Sequence, residues 1–352
     1  MKYNQAMNRL PLVVHTLYAE LADLCRAEAP APWPLSGSLV KVPVKEQEHW
    51  YFQKSRRTSP GAYQQREYLG PVSDAELGAR VAEFEAAKAA YLERAGLVAA
   101  LKAAGAPAPT GRLAGLLLGL SEAGLLERSV LVGTAAFQAY GPMLGARFGP
   151  SSFQTLDLDL CAAAGTGLAL RPWPGQPPLL ALLQGIDPTF GEVPGLRPGA
   201  PAVAYMNQAR LRVDVLLPLL GRERGGQPAP GLGSHGQPQR FLDFLVQDPV
   251  LAVLLVGGGI LAHVPQPARF GLHKLLVSRQ RPAIEQAKAR KDLAQAGQLL
   301  TLLLDQDPGA VETACADLAA RGAGWKKHAL AALQRIEDKE TAERVAEMLK
   351  EG

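Results

Sequence analysis

Cysteine is scarce in this 352-residue chain: Cys25, Cys161 and Cys315 stand far apart, odd in number and without a CxxC spacing. Neither a disulfide framework nor a thiolate zinc site follows from such a pattern, and each thiol is expected as a small buried group in a reducing compartment. Long apolar runs are missing as well. The longest, LAVLLVGGGILAHV from Leu251, has 14 residues, short of the ~20 that span a bilayer. The opening MKYNQAMNRLPLVVHTLYAEL breaks its apolar residues with polar ones, against a signal peptide. No membrane partner and a cytoplasmic location are therefore expected. Also absent are Gly-x-Ser-x-Gly, HExxH and Gly-Lys-Ser/Thr, so hydrolase, zincin and P-loop readings lack support; Gly257 to Gly259 is a turn. His49, His263 and His273 show no ligand spacing. Net charge is only +4, which permits a polyanionic partner without requiring one. The scarcity of Asn and Ile beside abundant Ala, Leu, Gly, Pro and Arg suggests a GC-rich bacterial genome.

What is present alternates between helix and strand signals. Apolar spacing from Gln5 to Glu28 predicts a first helix, ended by Ala29 to Pro34. From about Ser38 to Leu69, GSLVKVPV, EHWYFQK and QQREYLGP read as a small antiparallel sheet. Asp74 caps a long helix, Pro107 to Thr110 breaks it, and GRLAGLLLGLSEAGLL is a second. SVLVGTAAFQAYGPML reads as strand, turn and helix start, TLDLDLCA and RLRVDVLLP as strands, and ALLQGIDPTFGEV as a short helix with a loop. A loop is expected around Gly141 to Ser152. The Gly- and Pro-dense stretch Gly221 to Arg240 is expected as a mobile surface loop. FLDFLV, AVLLV and ILAHV read as further strands. Helices follow Pro267, with about four beyond Pro282.

The chemistry concentrates in two of these strands. Alternation puts Asp157 and Asp159 on one face while Leu156, Leu158 and Leu160 point into the core. Two neighbouring carboxylates repel unless solvated, paired or neutralised by a divalent cation, and hard oxygen donors suit magnesium. A solvated strand end is the alternative. Asp214, inside the apolar run LRVDVL, needs a partner. Upstream, Val130 to Phe137 runs a strand through Gly133-Thr134 into a helix, a turn that lets backbone N–H groups and a hydroxyl approach a phosphate.

The ordered set Gly133-Thr134, Asp157-x-Asp159 and Asp214 resembles the DNA-polymerase-beta-like nucleotidyltransferase superfamily. The resemblance implies that Gly133 and Thr134 hold a triphosphate, that Asp157, Asp159 and Asp214 bind two magnesium ions (manganese being possible), and that Asp214 helps to activate the attacking hydroxyl. Thr134 stands where serine is commoner, with the hydroxyl kept. Lys274, four residues from Phe270 and from Ser278, could reach the triphosphate as a point charge. Asp292, flush with Ala296, Leu299 and Leu303, should meet a cation, with Lys274 or Arg279 as candidates. That pair resembles motifs of the abortive-infection, toxin-type nucleotidyltransferases, as do Tyr68-Leu69-Gly70-Pro71 and His273-Lys274-Leu275, and it implies a bacterial toxin-like subgroup. A solvated helix face with a structural ion pair is the bland alternative.

The expected fold is α+β, a mixed-sheet nucleotidyltransferase domain flanked by an N-terminal helix plus small antiparallel sheet and a C-terminal helical bundle. The expected divisions are 1–72 for that helix and sheet, 73–128 for a helical connector, 129–266 for the catalytic sheet and 267–352 for the last helices. The function so implied is magnesium-dependent transfer of NMP from an NTP to an acceptor hydroxyl of RNA (a tRNA end especially), protein or a small molecule. An inactive nucleotide- or nucleic-acid-binding module of the same fold is the alternative. Lys41, Lys45, Lys54, Arg56, Arg57 and Arg66 interleave with Trp50, Tyr51, Tyr63 and Tyr68 in the N-terminal sheet, a composition that suits single-stranded nucleic acid.

Overall fold

Proline sets where the first helix begins. Leu10 precedes Pro11 and is steered away from helical backbone, so the helix expected from Gln5 starts only at α1 (Leu12–Arg26). Before it, β1 (Asn8–Arg9) pairs with β6 (Ala146–Arg147). The computed structural model describes residues 8–58, 61–149, 157–162, 173, 175–195, 197–221 and 225–352. The buried face of α1 is Val14, Tyr18, Leu21 and Cys25, steps of three and four along one stripe.

The small sheet forms as expected from β2 (Ser38–Val44), β3 (Gln47–Thr58) and β4 (Gly61–Pro71), antiparallel in that order. A tight turn at Lys45, with φ of 57°, joins the first pair, as short hairpins require. One extra residue of β4 bulges opposite Trp50 and Tyr51. Asp74 accepts from the backbone N–H of Glu76 and Leu77 and so caps α2 (Ala75–Ala103). Phe52 on β3 packs edge-on against Phe84 of α2. Next comes α3 (Gly111–Glu122), and Lys54 of β3 is paired with its Glu122.

The central sheet is mixed, in the order β11-β12-β10-β7-β5-β14-β13. Its strands are β5 (Ser129–Val132), β7 (Asp157–Ala162), β10 (Arg212–Pro218), β11 (Gln227–Ala229), β12 (Ser234–Gln239), β13 (Val250–Leu254) and β14 (Ile260–Val264). The short β8 (Gly191–Glu192) and β9 (Ala204–Met206) extend it beside β10. Helix α4 (Gly133–Met143) leaves β5 without a loop, and α5 (Leu179–Ile186) follows β7. Part of the loop expected from Gly141 is thus still helix; residues 150–156, with Thr155 and Leu156, lie outside the described residues.

Two expectations are corrected. The Gly- and Pro-dense stretch builds the β11–β12 hairpin, and β12 runs parallel to β10 with Leu216 opposite Gln237; residues 222–224 lie outside the described residues. Gly236 is there for close approach, since a Cβ would stand 2.7 Å from Leu217 Cγ. FLDFLV is helix α6 (Leu242–Leu245), not a strand, entered through Phe241 at φ 65°. Its Phe241 and Phe244 rings pack on Trp325, at 4.4 and 6.1 Å between centroids. A short apolar run carries no periodicity that separates the two states.

The chain ends in α7 (Pro267–Ser278), α8 (Gln286–Gln306), α9 (Pro308–Ala320), α10 (Ala323–Leu333) and α11 (Lys339–Glu351). One buried cluster runs from Leu113 through the central sheet to Leu349, and a second joins α1 and α2 to β13. Cys25, Cys161 and Cys315 are all buried. No described helix is long and apolar enough to cross a membrane.

Candidate active site

On β7, Leu158 and Leu160 are fully buried while Asp157 is exposed and Asp159 half-buried. Strand alternation therefore places both acids on one face. On β10, Val213 and Val215 are buried and Arg212 and Asp214 point the other way. The two strands are parallel, with Arg212 opposite Asp157 and Asp214 opposite Asp159. Four charged side chains thus make a two-by-two array on one sheet face, three of them acidic.

Asp214 has the partner that its apolar surroundings demand. Arg212 grips it in a fork, Nε 2.8 Å from Oδ2 and Nη2 2.7 Å from Oδ1, the geometry in which guanidinium binds carboxylate best. Asp159 is less well compensated. Burial pushes its carboxyl up to about 6, and Asp214 and then Asp157 add to the rise against the opposing charges of Lys274 and Arg281. Among the described residues, no three carboxylate, imidazole or thiol groups converge closely enough to hold one metal ion.

The turn at the end of β5 closes over this array. Val132 lies opposite Asp159 in the antiparallel β5–β7 pair, and Gly133 follows at φ 64°. A Cβ at Gly133 would meet Asp159 Oδ2 at 2.1 Å. Glycine is required here by the carboxylate as well as by the backbone angle. Thr134, in the first turn of α4, is buried, and its Oγ1 accepts from Lys291 Nζ at 2.9 Å.

Lys274 and Asp292 meet, as their spacing suggested, but in a saturated arrangement. Lys274 Nζ donates to Asp292 Oδ1 at 2.7 Å and lies 5.2 Å from the centre of the Phe270 ring. Arg281 Nε donates to Asp292 Oδ2 at 3.0 Å. Burial alone would raise the Asp292 carboxyl, yet Lys274 and then Arg281 hold it below its ordinary range. Arg279, the other candidate partner, is the C-cap of α7, and the ion pairs of Asp292 are made by Lys274 and Arg281. Beside this network His273 is partly buried, its Nδ1 shut away from solvent, and burial followed by the charge of Lys274 pushes it down to about 3.

Lys291, Arg281 and Arg212 escape a reading of the sequence alone. Arg-x-Asp in β10 is the available signal for Arg212, because residues two apart share a strand face. Lys291 directly precedes Asp292, so one turn of α8 sends neighbouring side chains to different partners, and only the hydrogen bond of Lys291 to Thr134 reveals which.

A family model described as nucleotidyltransferase matches residues 112–320. The chain belongs to that family. The match runs from α3 to the end of α9, so it takes in the acid array, the Gly133 turn and the Lys274–Asp292 pair of this nucleotidyltransferase. It leaves out the N-terminal sheet and the last two helices. No curated protein and no solved structure matches the chain. A cavity of about 1400 Å³ lies apart from Asp157, Asp159 and Asp214, between the small sheet, α3 and α5, and its wall includes Phe52, Arg112, Asp187 and Leu211.

Proposed function

We propose that this nucleotidyltransferase moves NMP from an NTP to an acceptor hydroxyl with magnesium as its cation, the NTP seated against the Gly133-Thr134 turn. The reading is carried by the meeting of that turn with Asp159, 2.1 Å from where a Gly133 Cβ would be. A backbone held that tightly brings the N-terminus of α4, an anion-binding feature, next to a cation-binding face.

The donor chemistry suits a hard divalent cation, and the three carboxylates would have to draw together to hold one. Asp159 is under-neutralised, Asp157 and Asp214 add carboxylate oxygens on the same sheet face, and such donors take magnesium or manganese. Asp157, Asp159 and Asp214 would hold it, the guanidinium of Arg212 giving way. When bound, the metal neutralises phosphate oxygens and makes the attacking hydroxyl more acidic. Thr134 and Lys291 bind the triphosphate, Lys291 as a point charge already aimed at the turn. Lys274 and Asp292 hold α7 and α8 together beneath Lys291 and fix its reach. The acceptor oxygen bonds to the α-phosphorus, the bond from that phosphorus to the bridging oxygen breaks, and pyrophosphate departs. The hydroxyl proton passes to Asp214. The resemblance of the Lys274–Asp292 pair to toxin-type enzymes favours RNA or protein as acceptor.

One observation favours the alternative of an inactive binding module: Arg212 already satisfies Asp214. Incubation with each α-³²P-labelled NTP, magnesium and total cell RNA or protein decides between the two. Label moved by the wild type and not by Asp157→Ala/Asp159→Ala supports transfer and identifies the acceptor pool. NTP binding that depends on magnesium, without label moved, supports the binding module.

A further inference from the structure

The three-stranded sheet has one face committed to the protein and one facing away. Register and alternation sort its side chains. Leu39, Lys41, Glu48, Phe52, Lys54 and Glu67 fall on the inner face, where Phe52 meets Phe84 and Lys54 pairs with Glu122. The outer face carries Val40, His49, Tyr51, Gln53, Arg66 and Tyr68. No carboxylate stands on that outer face among the described residues, because both acids within the strands point inward.

The aromatic residues of the outer face cluster. Tyr51 and Tyr68 are directly opposite, their rings edge-on with centroids 5.4 Å apart. His49 lies 5.6 Å from Tyr68, with its Nδ1 3.1 Å from the Tyr68 hydroxyl. Tyr68 is 55% exposed, so the cluster covers no core. Beside it, Arg66 Nε donates to Gln53 Oε1 at 3.3 Å, which holds a guanidinium on the same face. Residues 38–71 contain six Lys and Arg against three Glu, a surplus of three in a chain whose net charge is +4. Of the described cations Lys41 and Lys54 stand on the inner face, Lys54 paired with Glu122, which leaves Arg66 for the outer face and Lys45 for the turn. The side chains of Arg56, Arg57 and Tyr63, counted with this sheet from sequence, lie outside the described residues.

We infer that the outer face of β3 and β4 binds single-stranded nucleic acid, bases stacking on Tyr51, Tyr68 and His49 while Arg66 and, at the hairpin turn, Lys45 meet phosphates. Rings with accessible π-faces beside cations, on a surface without carboxylates, match the two needs of an unpaired strand. A duplex hides its base faces and could use only the charge. A protein partner would gain nothing particular from the acid-free surface. The role of the bound strand as acceptor rests on the NMP-transfer reading; the binding itself does not.

The test uses the full chain carrying Asp157→Asn/Asp159→Asn, so that no transfer intervenes. Fluorescence anisotropy follows fluorescein-labelled short RNA, DNA of the same sequence, and the RNA duplex. Single strands should bind with an affinity that falls steeply with salt, and RNA against DNA shows which sugar is preferred. Tyr51→Ala/Tyr68→Ala should weaken single-strand binding about 10-fold or more, whereas Tyr51→Phe/Tyr68→Phe, which keeps the rings, should stay within about 2-fold. Arg66→Gln should flatten the salt dependence. Equal binding of the duplex, or an alanine pair that binds like its parent while melting at the same temperature, overturns the inference. So does a failure to bind any oligonucleotide, and label moved to protein by the wild-type chain would then leave NMP transfer itself standing.

Discussion

Asp159 and Asp292 are both carboxylates removed from water beside the same two cations, yet their settings are opposite. Asp292 receives Lys274 and Arg281 directly, one on each oxygen, and is held below its usual range. Asp159 faces two other carboxylates and is raised to about 6. The first is a closed account of charge that ties α7 to α8. The second leaves negative charge uncompensated, which folding alone would not favour and which a bound cation would relieve. Under the proposed transfer, the saturated carboxylate holds the frame and the unsaturated one is available for chemistry.

The largest effect that would break this division is on activity. Asp157→Ala or Asp159→Ala should cut NMP transfer by at least about 10³-fold, since charge stabilisation dominates phosphoryl transfer, while thermal melting stays at or above the wild-type temperature. A melting point that collapsed instead would make Asp159 a frame residue. Next comes Asp292→Ala, which strands a buried lysine and should cost about 3–5 kcal/mol in urea unfolding. Loss of activity with full stability would reverse its assignment.

Gly133→Ala forces a methyl against Asp159 Oδ2 at a positive φ and should cost about 1–3 kcal/mol of stability, with activity lost alongside. Lys291→Ala should raise KM for NTP about 10-fold, the worth of one charge-assisted hydrogen bond, with unfolding unchanged. The smallest effect is on pH dependence. His273 has a folded pKa of about 3 against an ordinary value of 6.5, so the unfolded chain binds a proton that the native state refuses. Its stabilising contribution is complete above about pH 6.5 and is lost as pH falls towards 3, at about 1.4 kcal/mol per unit. Denaturant melts of His273→Leu across pH 4 to 7 should lack that part of the slope.

Much of the fold is legible in the sequence because local rules carry it. Asp74 caps its helix, the proline-rich Ala29 to Pro34 follows the end of another, and the alternation of Leu158 and Leu160 with Asp157 and Asp159 needs only the two-residue period of a strand. FLDFLV misleads because four to six apolar residues satisfy helix and strand equally. Gly221 to Arg240 misleads because glycine suggests freedom, whereas Gly236 is pressed against Leu217. Helical spacing singles out Lys274 and passes over Lys291, the lysine that reaches Thr134, because it shows which residues share a face but not what that face meets.

The sequence by itself determined the α+β order of elements, the nucleotidyltransferase resemblance and the pair of acids on one strand face, since each depends on residues close together along the chain. Tertiary structure alone decided that Asp214 stands opposite Asp159, that Gly133 must lack a side chain, and that Lys291 rather than Lys274 reaches Thr134. Those facts join residues up to 157 positions apart, and only the register of the strands and the approach of Lys291 on α8 to the first turn of α4 bring them within reach of one another.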